Sequence, residues 1–299
     1  MNPPPIYSKM IRALIETMRP RQWTKNLLLF VGLIFSQNLF HFDLLLKTLV
    51  AFALFCLLSG AVYLINDLAD IESDRSHPLK SRRPLPSGRL KVPVAIAAAV
   101  GFTCVGFPLS FLLDFQFGLV ATGYFLLILA YSFGLKHVVI LDVVVVALGF
   151  ILRAVAGAVV IHVPISSWLL ICTTFLALFL AMSKRRHELV LLGENSASHR
   201  KTLIEYSPQF LDQMIAVVTA SAVMSYALYT TSEETVAKFG TRNLLFTLPF
   251  VIYGIFRYLY LVHMRNMGGS PELVFIKDRP MVVNVILYVI VVAVVLYLK

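Results

Sequence analysis

Charge is what this chain has little of. Only 14% of its 299 residues are Asp, Glu, Lys or Arg, whereas 59% are apolar. A soluble domain carries about 25% charged residues to clothe its surface, so a water-exposed fold of this size is excluded and the bilayer is the natural solvent. Cysteine is scarce as well. Cys56, Cys104 and Cys172 lie inside apolar runs without CxxC spacing, which argues for buried thiols rather than a disulfide scaffold or a thiolate metal site. Met1 to Lys25 contains no apolar h-region or small-residue cleavage site, so no removable signal peptide is expected. An internal repeat and a midplane cluster of charges are also lacking, which disfavours a transporter.

What is present is a series of apolar runs near the roughly 20 residues a helix needs to cross the hydrocarbon core. Nine are expected: Asn26 to Phe40, Leu44 to Ile65, Val92 to Leu113, Phe115 to Phe133, Val138 to Ile161, Ser166 to Met182, Phe210 to Thr231, Leu244 to Val262 and Met281 to Leu298. The first is short and amphipathic at its start, and without it the count is eight. The expected fold class is an all-α polytopic membrane protein, with residues 1–299 forming a single integral membrane domain.

The net charge of +10 does not require a nucleic-acid partner, because its placement follows the membrane. With a cytoplasmic N-terminus, 20 of the 26 Lys and Arg fall on the inner side, and Lys47, Lys238, Arg242 and Lys299 fall on the outer. Arg153 and Arg257 lie within spans. The outer connections are short, so polar chemistry is expected on two inner loops, about 66–91 and 183–209.

In the first inner loop, Asp67, Asp70 and Asp74 follow a 3-then-4 spacing that places three carboxylates on one helical face. Stacked like charges at a membrane helix end are costly unless a cation sits among them. Oxygen-only ligands without His or Cys favour a hard ion such as Mg²⁺, to which Asn66 could add a carbonyl. Downstream, His77-Pro78-Leu79-Lys80-Ser81-Arg82-Arg83-Pro84 is basic and punctuated by proline, and guanidinium forks suit phosphate oxygens. Acid followed by base reads as a metal-diphosphate cradle; the plain alternative is a solvated helix end beside membrane anchors.

These residues carry a family resemblance. Tyr63-Leu64-Ile65-Asn66-Asp67-x-x-Asp70-x-x-x-Asp74-Arg75 resembles the first Asp-rich motif of the UbiA superfamily of intramembrane prenyltransferases. Arg19-Pro20-x-Gln22-Trp23-x-Lys25-Asn26, Leu135-Lys136-His137 with Leu141-Asp142, and Gly149-Phe150-x-Leu152-Arg153-Ala154-x-Ala156-Gly157 resemble its decaprenyl-phosphate phosphoribosyltransferase branch. So do Lys184-Arg185-x-x-Glu188-Leu189, Gly268-Gly269-x-Pro271-Glu272 and Asp278-Arg279-Pro280. The resemblance implies about nine transmembrane helices around a central cavity, Mg²⁺, and transfer of a 5-phosphoribosyl group from phosphoribosyl pyrophosphate to a polyprenyl phosphate at the cytoplasmic face of a bacterial inner membrane. Prenyl-diphosphate-using members carry a second Asp-rich motif after the sixth span. Here that loop is basic, with only Glu188, Glu194 and Glu205 acidic. The alternative within the superfamily is a prenyltransferase with an aromatic acceptor.

The expected catalytic residues are Asp67, Asp70 and Asp74, which with Asn66 form the expected metal set. The expected substrate-binding residues are Lys25, Asn66, Lys80, Arg82, Arg83, Tyr131, Lys136, Asp142, Arg153, Lys184, Arg185 and Glu188. Lys184 and Glu188, one turn apart, are expected to pair. Arg153 is expected either to meet a lipid phosphate at depth or to serve structure. Gly149, Ala154, Ala156, Gly157 and Ala158 offer small faces for close helix packing. Homo-oligomerisation is compatible with the sequence but not specified by it.

Overall fold

The computed structural model describes residues 6–76, 80–192, 201–265, 267–269, 274–275 and 277–297. His77, Pro78, Leu79, Glu194, Arg200, Pro271 and Glu272 of the sequence motifs lie outside the described residues. Every regular element among those described is helical. The chain divides into two compact units, residues 1–133 with 152–164, and residues 134–151 with 165–299.

Helix α1 (Ile6–Thr17) opens the first unit. It stops because Arg19 adopts a left-handed backbone, φ 56°, ahead of Pro20, whose ring disfavours the α region for the residue before it. A 3-10 helix follows over Pro20–Leu28 and passes into α2 (Leu29–Phe35). The first expected span is therefore not a continuous membrane helix. Its opening residues Asn26 to Leu28 belong to a 3-10 helix that is polar at Gln22, Thr24, Lys25 and Asn26, and the seven residues of α2 fall well short of the roughly 20 that crossing requires.

The rest of this unit is built on α3 (Phe42–Ala69), the short α4 (Ile71–Arg75), α5 (Val92–Leu113) and α6 (Phe115–Phe133), joined by the second half of α7 (Leu141–Val160). Phe55, Phe117 and Tyr124 centre its core, with Phe55 packed 5.7 Å from Phe117 and 5.1 Å from Tyr124 by ring centroids. The expected small-residue packing is found at Gly157, where a Cβ would stand 2.0 Å from the Leu29 carbonyl oxygen. A smaller core of Ala13, Leu64, Leu85, Leu90 and Ala95 lies under the basic turn and fixes its backbone against the end of α3.

The second unit holds the first half of α7, then α8 (Ser167–Leu192), α9 (Pro208–Thr231), α10 (Glu233–Phe239), α11 (Leu248–Met264) and α12 (Arg279–Tyr297). Phe179 and Tyr258 pack edge to face at 5.2 Å within its core. Ser207 caps α9, accepting the Phe210 amide at 3.1 Å, with Pro208 in the first turn. Helix α8 does not end at Met182 as expected but runs to Leu192, so Lys184, Arg185 and Glu188 stand on a rigid helix rather than a loop.

Among the described residues eight helices are long and apolar enough to cross a membrane. Leu112, Leu119, Val217, Phe256 and Val289 are exposed, the coat expected of a surface facing hydrocarbon. The chain is a multi-pass membrane protein.

Candidate active site

In the first unit, α3 ends one residue before Asp70, whose backbone leaves the helix at φ −94°, ψ 6°, and α4 restarts at Ile71. The three aspartates therefore do not continue along one helix. Asp67 closes α3, Asp70 occupies the break, and Asp74 lies on α4. Asp67 and Asp74 are 2% and 1% exposed, and two buried carboxylates need cationic partners. Arg83 supplies them: its Nη1 donates to Asp74 Oδ2 at 2.6 Å and to Asp67 Oδ1 at 3.3 Å. Arg19 donates to the same Asp67 oxygen, and Lys80 Nζ stands 3.6 Å from Asp74 Oδ1.

Arg19 is itself held. Its guanidinium lies over the Tyr63 ring at 4.7 Å, and the Tyr63 hydroxyl donates to Gln22 Oε1 at 2.7 Å. Arg82 is exposed, and its carbonyl accepts a bond from Arg89, which also pairs in bidentate fashion with Glu16 at 2.8 and 2.9 Å. That pair raises the already high pKa of Arg89. Lys25 is half-buried on the 3-10 helix and Tyr131 half-buried near the end of α6.

Deeper in this unit, Arg153 is 5% exposed and donates to Asn26 Oδ1 at 2.8 Å and to the Tyr124 hydroxyl at 2.6 Å. Asn26 in turn donates to Cys56 Sγ at 3.3 Å and Ser59 Oγ at 3.4 Å. These side-chain partners of Arg153 come from the 3-10 helix and from α6.

In the second unit, Asp142 opens α7 and is fully buried. It accepts Arg185 Nε at 2.8 Å and the Tyr206 hydroxyl at 2.7 Å. Arg185 Nη1 reaches Glu188 at 2.6 Å, while Lys184 Nζ stands 3.9 Å from the other Glu188 oxygen. The expected Lys184–Glu188 pair is present, but Arg185 makes the closer contact. The Tyr206 hydroxyl also accepts the Ile140 amide at 2.7 Å, where Ile140 has φ 70°, a strained value for a β-branched residue. Burial, and then the bond to Asp142, pushes the Tyr206 phenol up to about 12. Lys136 sits half-buried in the turn just before.

The sequence pattern of the UbiA prenyltransferase family matches residues 27–277. The chain belongs to that family. This UbiA protein is 34% identical to a decaprenyl-phosphate phosphoribosyltransferase of Mycolicibacterium smegmatis over 281 residues, covering 90% of this chain and 88% of the relative. It is also 34% identical to a protein of the same name from Corynebacterium glutamicum, covering 95% and 87%. A UbiA homolog from Archaeoglobus fulgidus, solved bound to GPP and Mg²⁺, shares its fold with a TM-score of 0.71 at 19% identity, over 95% of this chain and 99% of that one.

Metal ligation by Asn66, Asp67, Asp70 and Asp74 can be weighed against the geometry of this UbiA site. Among the described residues no three His, Cys, Asp or Glu side chains stand together ready to hold a metal; the Asp67 and Asp74 oxygens face guanidinium instead. Asn66 Oδ1 is nonetheless buried without a hydrogen-bond partner among the described residues, which leaves an uncommitted hard oxygen on the residue preceding Asp67. Mg²⁺ usually takes only one or two carboxylates and completes its shell with phosphate and water, so an oxygen-only set of this size fits it.

Three residues of these clusters were not among the expected ones: Arg19 and Asn26 in the first unit, and Tyr206 in the second. Arg19 and Asn26 were legible as parts of a motif, yet nothing local marks the partner of either. Tyr206 is a lone aromatic before Pro208 and carries no sequence signal. Between α9 and α11 there is also an apolar groove of about 910 Å³, lined by Ile215, Thr219, Val223, Phe256 and Leu259, with Asp212 and His263 among its polar lining residues.

Proposed function

We propose that this chain transfers a 5-phosphoribosyl group from phosphoribosyl pyrophosphate to a polyprenyl phosphate, releasing pyrophosphate, at the cytoplasmic face of a bacterial inner membrane. The observation that carries this choice is the end of α8. Where a prenyl-diphosphate enzyme would need a second carboxylate cluster, Lys184, Arg185 and Glu188 form a cation-rich helix turn. The two relatives of 34% identity, both named decaprenyl-phosphate phosphoribosyltransferase, support the same branch.

In this reading Asn66, Asp67, Asp70 and Asp74 would hold Mg²⁺, which would supply charge neutralisation for the pyrophosphate leaving group. Arg82, Arg83 and Lys80 bind its oxygens, and Lys25, Tyr131, Lys136 and Lys184 serve the ribose-bearing substrate and the lipid phosphate. Asp142 and Glu188 orient Arg185. A phosphate oxygen of the lipid attacks the anomeric carbon while the bond from that carbon to pyrophosphate breaks. The nucleophile is already an anion, so no general base is required and catalysis rests on positioning and electrostatic stabilisation. The groove between α9 and α11 suits the hydrocarbon of the acceptor. Arg153, committed to Asn26 and Tyr124, serves structure.

The test incubates purified protein in lipid with radiolabelled phosphoribosyl pyrophosphate, Mg²⁺ and a polyprenyl phosphate, and counts label in the organic phase. Label should move only with Mg²⁺ and be lost in Asp67→Ala and Asp70→Ala. If none moves while a prenyl diphosphate is consumed with an aromatic acceptor, the proposal is wrong and only the family assignment stands.

A further inference from the structure

Two buried carboxylates from separate helices meet at one nitrogen. Arg83 Nη1 lies 2.6 Å from Asp74 Oδ2 and 3.3 Å from Asp67 Oδ1, bridging the end of α3 to α4. Without a cation between them, the two anions would repel in a poorly hydrated pocket. One residue before Asp67 on α3, Asn66 Oδ1 is buried and makes no hydrogen bond among the described residues, although such an atom usually has a partner. The two carboxylates are thus countered by Arg83, Arg19 and Lys80, while one hard oxygen on the same segment goes unused.

The backbone that carries Arg83 is anchored, because Leu85 and Leu90 are each 1% exposed in the small core beneath it. Its side chain is more open than its partners. That side chain is 32% exposed, against 3% and 2% for the two carboxylates it bridges. A flexible side chain on a fixed hinge, open to water on one side, can leave without unfolding the turn. Arg19, which also holds Asp67, is constrained by its left-handed backbone and by Tyr63.

We propose that Arg83 is a placeholder cation: it occupies the seat between Asp67 and Asp74 in the resting protein and is displaced when a divalent cation arrives with a diphosphate. Displacement exchanges one cation for another at the carboxylates and frees the guanidinium for the anion that has just entered. No covalent bond changes. Metal and diphosphate then bind cooperatively, since the metal alone must expel Arg83 whereas the diphosphate offers it a new partner. The inference rests on the Mg²⁺-dependent reading above and deepens it.

The experiment measures free Mn²⁺ by electron paramagnetic resonance in titrations of the full-length protein in detergent, with and without pyrophosphate. Wild type should bind Mn²⁺ weakly alone and about tenfold or more tightly with pyrophosphate. Arg83→Gln should bind Mn²⁺ alone about tenfold more tightly than wild type and lose most of the enhancement by pyrophosphate. Arg83→Lys keeps a charge but not the planar guanidinium, and should fall between the two; it also serves if the Gln variant does not yield folded protein. Equal or weaker Mn²⁺ binding by these variants overturns the placeholder while leaving the transferase reading intact. If wild type binds no Mn²⁺ even with pyrophosphate, the metal-dependent reading falls, and the placeholder with it.

Discussion

The phenol of Tyr206 donates to Asp142 across 64 residues of sequence at 2.7 Å, and the same oxygen accepts the strained Ile140 amide. One hydroxyl thus holds the entry of α7 and, through Asp142, the orientation of Arg185. Tyr206→Phe leaves an acceptor and a donor unsatisfied and should destabilise the protein by about 1–3 kcal/mol, read by unfolding in a graded denaturing detergent. Burial pushes the phenol up to about 12, above the ordinary tyrosine value of about 10. A raised pKa in the folded state means stability fully present below the unfolded value and lost as pH rises through the folded one. Wild type should therefore lose stability across that alkaline window more steeply than Tyr206→Phe, and equal slopes would remove the linkage.

Arg153 depends on Asn26 as an acceptor deep in the first unit. Asn26→Leu withdraws it and should cost about 1.5–3 kcal/mol, the range for hydrogen bonds to charged groups. Arg153→Lys should not restore stability in wild-type background terms, because one ammonium cannot present both the Nε and Nη2 donors that meet Asn26 and Tyr124. Thermal melting of the three proteins in one detergent decides; a lysine variant as stable as wild type would show that the fork geometry is irrelevant.

Asp278 accepts Arg257 Nη2 at 2.8 Å and Nε at 3.1 Å, and also caps the Met281 amide at 3.0 Å. The bond from Arg257 holds its carboxyl below the usual carboxylate range. A depressed pKa contributes stability above the unfolded value and loses it as pH falls through the folded one. Acidification should thus destabilise wild type more than Asp278→Asn, which never carries the charge. Stability profiles of both proteins from neutral pH down to the carboxylate range test it, and parallel profiles would assign no role to the pair.

The orientation proposed from Lys and Arg placement can be checked with cysteines introduced in a background without native thiols. Arg82→Cys should react with a membrane-impermeant reagent only when the cytoplasmic side is accessible, and Lys238→Cys only from the opposite side. The reverse pattern would invert the topology.

Legibility in the sequence followed the range of the interaction involved. Apolar length is local, so eight of the nine expected spans reappear as membrane-length helices among the described residues, and the remaining one, short in the sequence, yields only the seven residues of α2 after a 3-10 helix. Aspartate spacing points to the segment of α3 and α4 but not to its geometry, because the turn at Asp70 depends on packing that the 3-then-4 pattern cannot express. Distant pairings were not readable. Neither the 48-residue separation of Arg19 from Asp67 nor the 64 residues between Asp142 and Tyr206 leaves a periodic trace. The charges from Lys184 onward read as a loop in the sequence, whereas residues of good helical propensity carry the rod onward to Leu192.

That rod works as a ruler. Its apolar stretch is anchored in hydrocarbon while Lys184, Arg185 and Glu188 ride on the same unbroken helix, so bilayer thickness sets the height of these charges above the membrane. Thinner or thicker lipids would tilt the helix or sink its charged turn toward the acyl chains. Reconstitution in phosphatidylcholines of graded acyl length should then give a turnover maximum at one thickness, tying the chemistry of the site to the mechanics of the membrane around it.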